Sequence, residues 1–329
     1  MKKLLILALT IACHNQVTAQ QEDTLYYFMN ADSSLSGVKN SAGKVIIPAW
    51  YHEYFDNDTT VVKGPVIVLT RIDWNGKHTS QSAGDAYDRQ GNLLYHPMFY
   101  DNGADFFNEG LTRCIADGKV GFADEQGKIV IPPQWDWVSP FEYGYAAVCN
   151  GCYWDRSRDE EHPPLMMRPG ANTFYIDRNG ARVPLQPATS HPKDQKLPGG
   201  YLPYPFHYSP FEQELVDSFN RSEVVSKIAF MNYYPARAGK GQWLQFEIIS
   251  RPTSSLPFYK LMAYDWNDGY GSREDMIFLV DPKGEWFHFD AHTPYASWLK
   301  NNLEACRLYF KAHPDAPNKF DTSLFTDHQ

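Results

Sequence analysis

Short apolar runs broken by polar corners dominate the first half of the chain, where long amphipathic stretches are lacking. The same corner recurs at Asn40-Ser41-Ala42-Gly43, Asp88-Arg89-Gln90-Gly91, Asp124-Glu125-Gln126-Gly127 and Asp177-Arg178-Asn179-Gly180. An Asp or Asn can cap such a corner with its side chain. Glycine then supplies the left-handed backbone that a type I turn with a bulge requires in a hairpin. Strands are predicted ahead of the corners, as at Val120-Gly121-Phe122-Ala123, and behind them, as at Lys44-Val45-Ile46-Ile47 and Lys128-Ile129-Val130-Ile131. Pro48, Pro97, Pro132 and Pro184 are each expected to end a second strand, because proline cannot donate to a ladder. Phe107-Asn108-Glu109-Gly110 and Phe141-Glu142-Tyr143-Gly144 each lead into a further short strand. The corner glycines stand 48, 36 and 53 residues apart, so the period is irregular and insertions absorb the excess. One insertion, Asp155 to Asn172, is charged and Pro-rich and is expected to interrupt a unit between Tyr153-Trp154 and Thr173-Phe174.

The stretch Gly118-Lys119-Val120-Gly121-Phe122-Ala123-Asp124-Glu125-Gln126-Gly127-Lys128-Ile129-Val130-Ile131-Pro132-Pro133-Gln134-Trp135-Asp136 resembles the unit of the WG (KWG) repeat family, with Val120 in place of the aromatic residue that names it. The resemblance extends over about residues 35 to 185, closest in this third unit. It implies a β-rich repeat array common in bacterial proteins and carries over no catalytic residue. A hairpin with a return strand cannot bury its apolar face alone, so the units are expected to stack as β-hairpins. An incomplete propeller or barrel is the alternative.

Residues 188–210, rich in Pro, Gly and His, read as a linker. Beyond it, Ser209-Pro210 is predicted to start a helix, with a break into two at Asn220-Arg221-Ser222. Strands are expected at 242–250, 258–264, 276–280 and 286–289, the last two joined by Asp281-Pro282-Lys283-Gly284. Thr293-Pro294 is predicted to cap a final helix whose Tyr295, Trp298, Leu299, Leu303, Cys306 and Phe310 share one face. This order predicts an α+β domain over 211–329, with an antiparallel sheet and helices on one side.

The ends of the chain and its charge narrow the role. Lys2 and Lys3, an apolar run from Leu4 to Ala12 and a close at Val17-Thr18-Ala19 make residues 1–19 a signal peptide. Cleavage after Ala19 is favoured, and acylation of Cys13 as a lipid anchor is the alternative; periplasmic or secreted placement follows. The run is too short to span a bilayer. With 39 acidic against 30 basic residues and a net charge of -9, no basic surface for nucleic acid is expected.

Cys149-Asn150-Gly151-Cys152 is the sharpest local feature. A structural disulfide, with Cys114 as another possible participant, and plain thiols are the leading readings. Redox catalysis would need the pair to open a helix, and zinc would need two further ligands, with His162 the only nearby histidine. Asp265, Trp266, Asp268 and Tyr270 form a long hairpin loop that could contact a ligand. No nucleophile elbow, phosphate loop, dinucleotide fingerprint or metalloprotease motif is found, so no cofactor or metal is expected. The expected function is a non-catalytic interaction module of the cell envelope with a protein or glycan partner. A hydrolase-like activity after residue 200, marked by converging buried carboxylates, and a structural subunit of a surface assembly are the rivals.

Overall fold

The computed structural model describes residues 23–52, 60–71, 82–100, 103–155, 157, 163–233, 244–253, 256–265, 271–289, 292–316 and 319–325. The fold is mainly β and antiparallel, and the chain divides into two compact units at Gly64 and Pro65.

The first unit holds one sheet of β1 (Leu25–Met29), β2 (Ser36–Asn40) and β3 (Val45–Tyr51) in sequential order. The second begins with β4 (Ile67–Thr70), β5 (Gly84–Tyr87), β6 (Leu93–Pro97), the small pair β7 (Phe99–Tyr100) and β8 (Gly103–Ala104), then β9 (Leu111–Ala116), β10 (Lys119–Asp124) and β11 (Ile129–Trp135). Six of these form one sheet in the order β11-β10-β9-β6-β5-β4. Next come β12 (Trp137–Val138), β13 (Tyr145–Trp154), β14 (Leu165–Asp177) and β15 (Arg182–Val183), a second meander. Phe122, Phe141, Val138, Val148 and Ile176, all at most 1% exposed, pack together into a core with Ile131 and Trp135.

The predicted corners form with one geometry. Asp124 Oδ1 accepts from the backbone N–H of Gln126 (3.0 Å) and Lys128 (2.9 Å), while Gly127 N–H donates to Asp124 O (2.9 Å). Asn40, Asp88 and Asp177 hold their corners in the same way. Asp281 does so too, accepting from Lys283 and Glu285 N–H at 2.8 and 2.7 Å. The glycine of each corner has a φ between 79° and 84°.

The prolines act differently from expectation in two units. Pro48 lies inside β3 and Pro132 inside β11, each at a bulge in its ladder. Opposite each bulge the partner strand carries glycine: a Cβ on Gly37 would lie 2.5 Å from Ile47 O, and one on Gly121 2.3 Å from Ile131 O. A missing donor is harmless where the ladder is already interrupted, and the bulged backbone then leaves no room for a side chain opposite.

The expected linker is ordered. It contains the hairpin β16 (Gln195–Leu197) and β17 (Gly200–Leu202). Asp194, 5% exposed, gathers the backbone N–H groups of Ser190 (2.6 Å), His191 (2.8 Å) and Tyr204 (2.8 Å). Beyond it lie α1 (Pro210–Asn220), α2 (Glu223–Tyr233), β18 (Leu244–Ser250), β19 (Tyr259–Asp265), β20 (Gly271–Val280), β21 (Trp286–His288) and α3 (Tyr295–Ala312). Ser209 and Glu212 form a reciprocal capping box on α1. The helix α3 differs from expectation, since Pro294 is its N-cap and makes no side-chain cap bond.

The four C-terminal strands form one antiparallel sheet in sequential order. Alternation sorts its side chains. Phe246, Ile248, Leu261, Ala263, Met276 and Phe278 pack with residues of all three helices. Ile249, Met262, Tyr264 and Ile277 point to a separate core with Tyr143 and Phe206. Both faces of this sheet are therefore covered.

Candidate functional site

Two tight turns start the site. Glu109-Gly110 and Tyr143-Gly144 each occupy the middle of a two-residue hairpin, with φ of 53° and 76° and of 52° and 77° respectively. Glu109 and Tyr143 are thus non-glycine residues held left-handed and buried, at 1% and 0% exposure. Such strain persists only where surrounding contacts fix it, and here they do. The Glu109 carboxylate accepts from Gly144 N–H (3.1 and 3.0 Å), Tyr264 O–H (2.6 Å) and Arg178 Nη1 (3.2 Å). Arg178 Nη2 also donates to Glu109 O at 2.8 Å. The Tyr143 and Tyr264 rings meet edge to face at 5.2 Å. Burial, reinforced by the Glu109 charge, pushes the Tyr264 hydroxyl well above its ordinary value. This cluster ties the two hairpin turns to β19.

A second sealed carboxylate, Glu247 of β18, accepts from Lys193 Nζ (2.9 Å), Tyr204 O–H (2.7 Å) and Tyr208 O–H (2.7 Å). Burial and the Glu247 charge push both tyrosines upward. Both carboxylate side chains are 0% exposed. Each has its oxygens engaged by fixed donors and neither meets solvent, which suits struts between elements and leaves no face for a substrate.

The cysteines separate into two kinds. Cys149 and Cys152 are joined as a disulfide within β13, with Cα atoms 5.8 Å apart. Cys114 is a buried free thiol, pushed up to about 12 by burial, and Cys306 is another, pushed up to about 11 by burial. At the disulfide the β13–β14 ladder breaks register: between the pairs Asn150↔Asn172 and Cys152↔Met167, β14 advances farther than β13. Gly151, at φ 88°, makes this kink, and its N–H donates to Asp136 Oδ2 (2.6 Å), while Lys119 Nζ holds Asp136 Oδ1 (2.7 Å). Those two donors lower the Asp136 pKa.

Past the kink, β13 and β14 continue as a two-stranded arm. Cys152, Tyr153 and Trp154 face Met167, Met166 and Leu165. The β12 strand reaches β13 only as far as Cys149, and β15 reaches β14 only at Tyr175 and Ile176. Among the described residues both outer edges of the arm therefore lack a strand partner. The arm exposes Tyr153 (38%), Trp154 (37%), Met166 (41%) and Met167 (54%). Because neighbours along a strand point to opposite faces, these apolar groups lie on both faces of the arm. The second part of the insertion read from the sequence as an interruption is thus strand, since β14 starts at Leu165.

Asp265 ends β19 opposite Gly271 and is 2% exposed. Trp266, Asp268 and Tyr270 lie outside the described residues, as do Cys13, residues 1–19 and His162. The hydrogen-bonding roles of Glu109 and Glu247 had no local signal, because their partners lie 35 to 155 residues away, whereas Asp194 takes two of its donors from Ser190 and His191 just before it. The arm's one sequence signal is the apolar run Leu165-Met166-Met167, which pairs with Trp154, Tyr153 and Cys152.

Among the described residues no helix is long and apolar enough to cross a membrane, and no group of three or more His, Cys, Asp or Glu could hold a metal ion. No curated protein and no solved structure matches the chain. Residues 121–154 match the family model described as WG containing repeat, a span that runs from Gly121 in β10 through the disulfide to Trp154 at the end of β13.

Proposed function

We propose that this chain is a non-catalytic interaction module, exported to the cell envelope, that binds a protein partner through the β13–β14 arm. In this reading residues 20–187 are an array of WG-type hairpin repeats that carries the arm, and residues 211–329 are the α+β domain that braces it. The observation that carries the reading is the exposure of Tyr153, Trp154, Met166 and Met167 on one projecting hairpin. An isolated two-stranded ribbon cannot bury such side chains by itself, and clustered exposed apolar groups mark interaction sites. Open strand edges invite addition of a partner strand, and methionines adapt to protein surfaces. The Arg168 guanidinium lies 5.0 Å from the Tyr153 ring centroid. It occupies a ring face that a sugar would stack on, which favours a protein over a glycan. Subunits of a surface assembly would bury the same arm.

Export supports the disulfide, since such bonds persist in oxidising compartments. A mature chain starting at Gln20, read by mass spectrometry, is the expected product; acylated Cys13 is the other outcome. To test the binding role, wild type and a Tyr153→Ser/Trp154→Ser/Met166→Ser/Met167→Ser variant are purified from the native host under identical conditions. The variant should fold normally and lose a stoichiometric partner that wild type retains. Equal partner recovery by both would overturn the proposal.

A further inference from the structure

Far from the arm in sequence, the end of α3 and the C-terminal residues that follow it line a wide-open cavity of about 570 Å³. Its floor is apolar. Phe310 is 5% exposed and meets Phe320 edge to face with centroids 5.3 Å apart. Its rim is cationic, made by Arg307, Lys311 and Lys319, against the single carboxylate Asp321. A fourth cation, Lys227 of α2, places Nζ 5.5 Å from the Phe320 ring centroid.

The charges are not all accounted for within the protein. Arg307 is held by Glu304, with Nε 2.7 Å from Oε2, and Lys227 by Glu223 at 3.1 Å. Asp321 is occupied by Ser323, accepting from its N–H (2.9 Å) and its hydroxyl (2.7 Å), which lowers its pKa. Among the described residues Lys311 and Lys319 close no ion pair, and Lys319 makes one long contact, 3.5 Å, to Pro314 O. In a chain of net charge -9 this local excess of positive charge runs against the overall balance. The open cavity offers an apolar shelf with cations along its rim, a surface on which the two ends of an amphiphilic anion can both be met.

We propose that this cavity binds a small amphiphilic organic anion, an aromatic or short aliphatic body bearing one carboxylate or phosphate. The body lies on Phe310 and Phe320, and the oxyanion is held between Lys311 and Lys319. Thr322, also in the lining, offers a hydroxyl to the same oxyanion. Neither the apolar floor nor the cations alone would suffice.

Calorimetric titration of the full chain with phenyl phosphate, inorganic phosphate and benzyl alcohol tests this division of labour. Phenyl phosphate should bind saturably at one site, with the other two weaker by about tenfold or more. A Lys311→Gln/Lys319→Gln variant, altered only at exposed positions, should keep its melting temperature and lose about tenfold in affinity for phenyl phosphate. No saturable binding in the millimolar range, equal affinity for inorganic phosphate, or unchanged affinity in the double variant would each overturn the proposal.

Discussion

Replacing Glu109 by alanine removes a carboxylate on which three donors converge. Gly144 N–H and Tyr264 O–H are then stranded, and Tyr264 is 0% exposed. An unsatisfied buried donor costs about 1–3 kcal/mol, so the pair accounts for about 2–6 kcal/mol. The Arg178 side chain is 34% exposed and can rehydrate, so the lost ion pair adds little beyond this. A total of about 4 kcal/mol corresponds to roughly 8–16 °C in melting temperature for a domain of this size class. Differential scanning calorimetry and urea titration, read on wild type, Glu109→Ala, Tyr264→Phe and the double variant, give the coupling. Tyr264→Phe removes one donor and should cost about 1 kcal/mol, and the double variant should fall short of additivity by about 1 kcal/mol or more. Glu109→Gly loses the same bonds while relieving the left-handed backbone at φ 53°, so it should be milder than alanine by about 1 kcal/mol. A cost for Glu109→Ala below about 1 kcal/mol, or strict additivity with Tyr264→Phe, would refute the strut.

Three further outcomes are expected. Burial raises the Asp194 carboxyl, but the N–H groups of Ser190, His191 and Tyr204 outweigh it and hold the pKa at about 2, below the ordinary 3.8. Its contribution, roughly 2 kcal/mol, is complete above pH 4 and lost as pH falls through 2; urea titrations at stepped pH should show Asp194→Asn lacking that part of the acid loss. Gly121→Ala, which would set a Cβ 2.3 Å from Ile131 O, should destabilise by about 1–3 kcal/mol, whereas Gly103→Ala, with open space around it, should stay within about 0.5 kcal/mol; chemical denaturation compares them. In native protein an alkylating reagent at neutral pH should label neither Cys114 nor Cys306, whose burial keeps them protonated and shielded, and should label both after unfolding without reductant, leaving Cys149 and Cys152 unmodified.

What could be read from the sequence was what is local. The corner at Asp124 needs only its own side chain and the next four residues, so its pattern recurs legibly at Asn40, Asp88, Asp177 and Asp281. The C-terminal helices announced themselves by periodicity and the strands as short apolar runs, because the sheet faces helices on one side and a second core on the other. Pro132 was misread because a bulge depends on the partner strand, and only Gly121 across the ladder reveals it. Glu109 looked like turn punctuation, since its partners Gly144, Arg178 and Tyr264 are assembled only by tertiary contact. The arm was hidden by composition: Pro163, Pro164 and Pro169 gave the insertion the look of a loop, although β14 runs from Leu165 to Asp177. Asp265 drew attention as an oxygen ligand in a loop, yet it is buried at the end of β19.

If the β13–β14 arm is the contact surface, site-specific photo-crosslinking in the native host should catch the partner there. A benzophenone side chain is placed at Trp154 or Met167 of the arm, and at the exposed controls Phe211 and Leu324. One discrete protein adduct should be shared by the two arm positions and absent from both controls. No adduct from the arm, or the same adducts from all four positions, would contradict it.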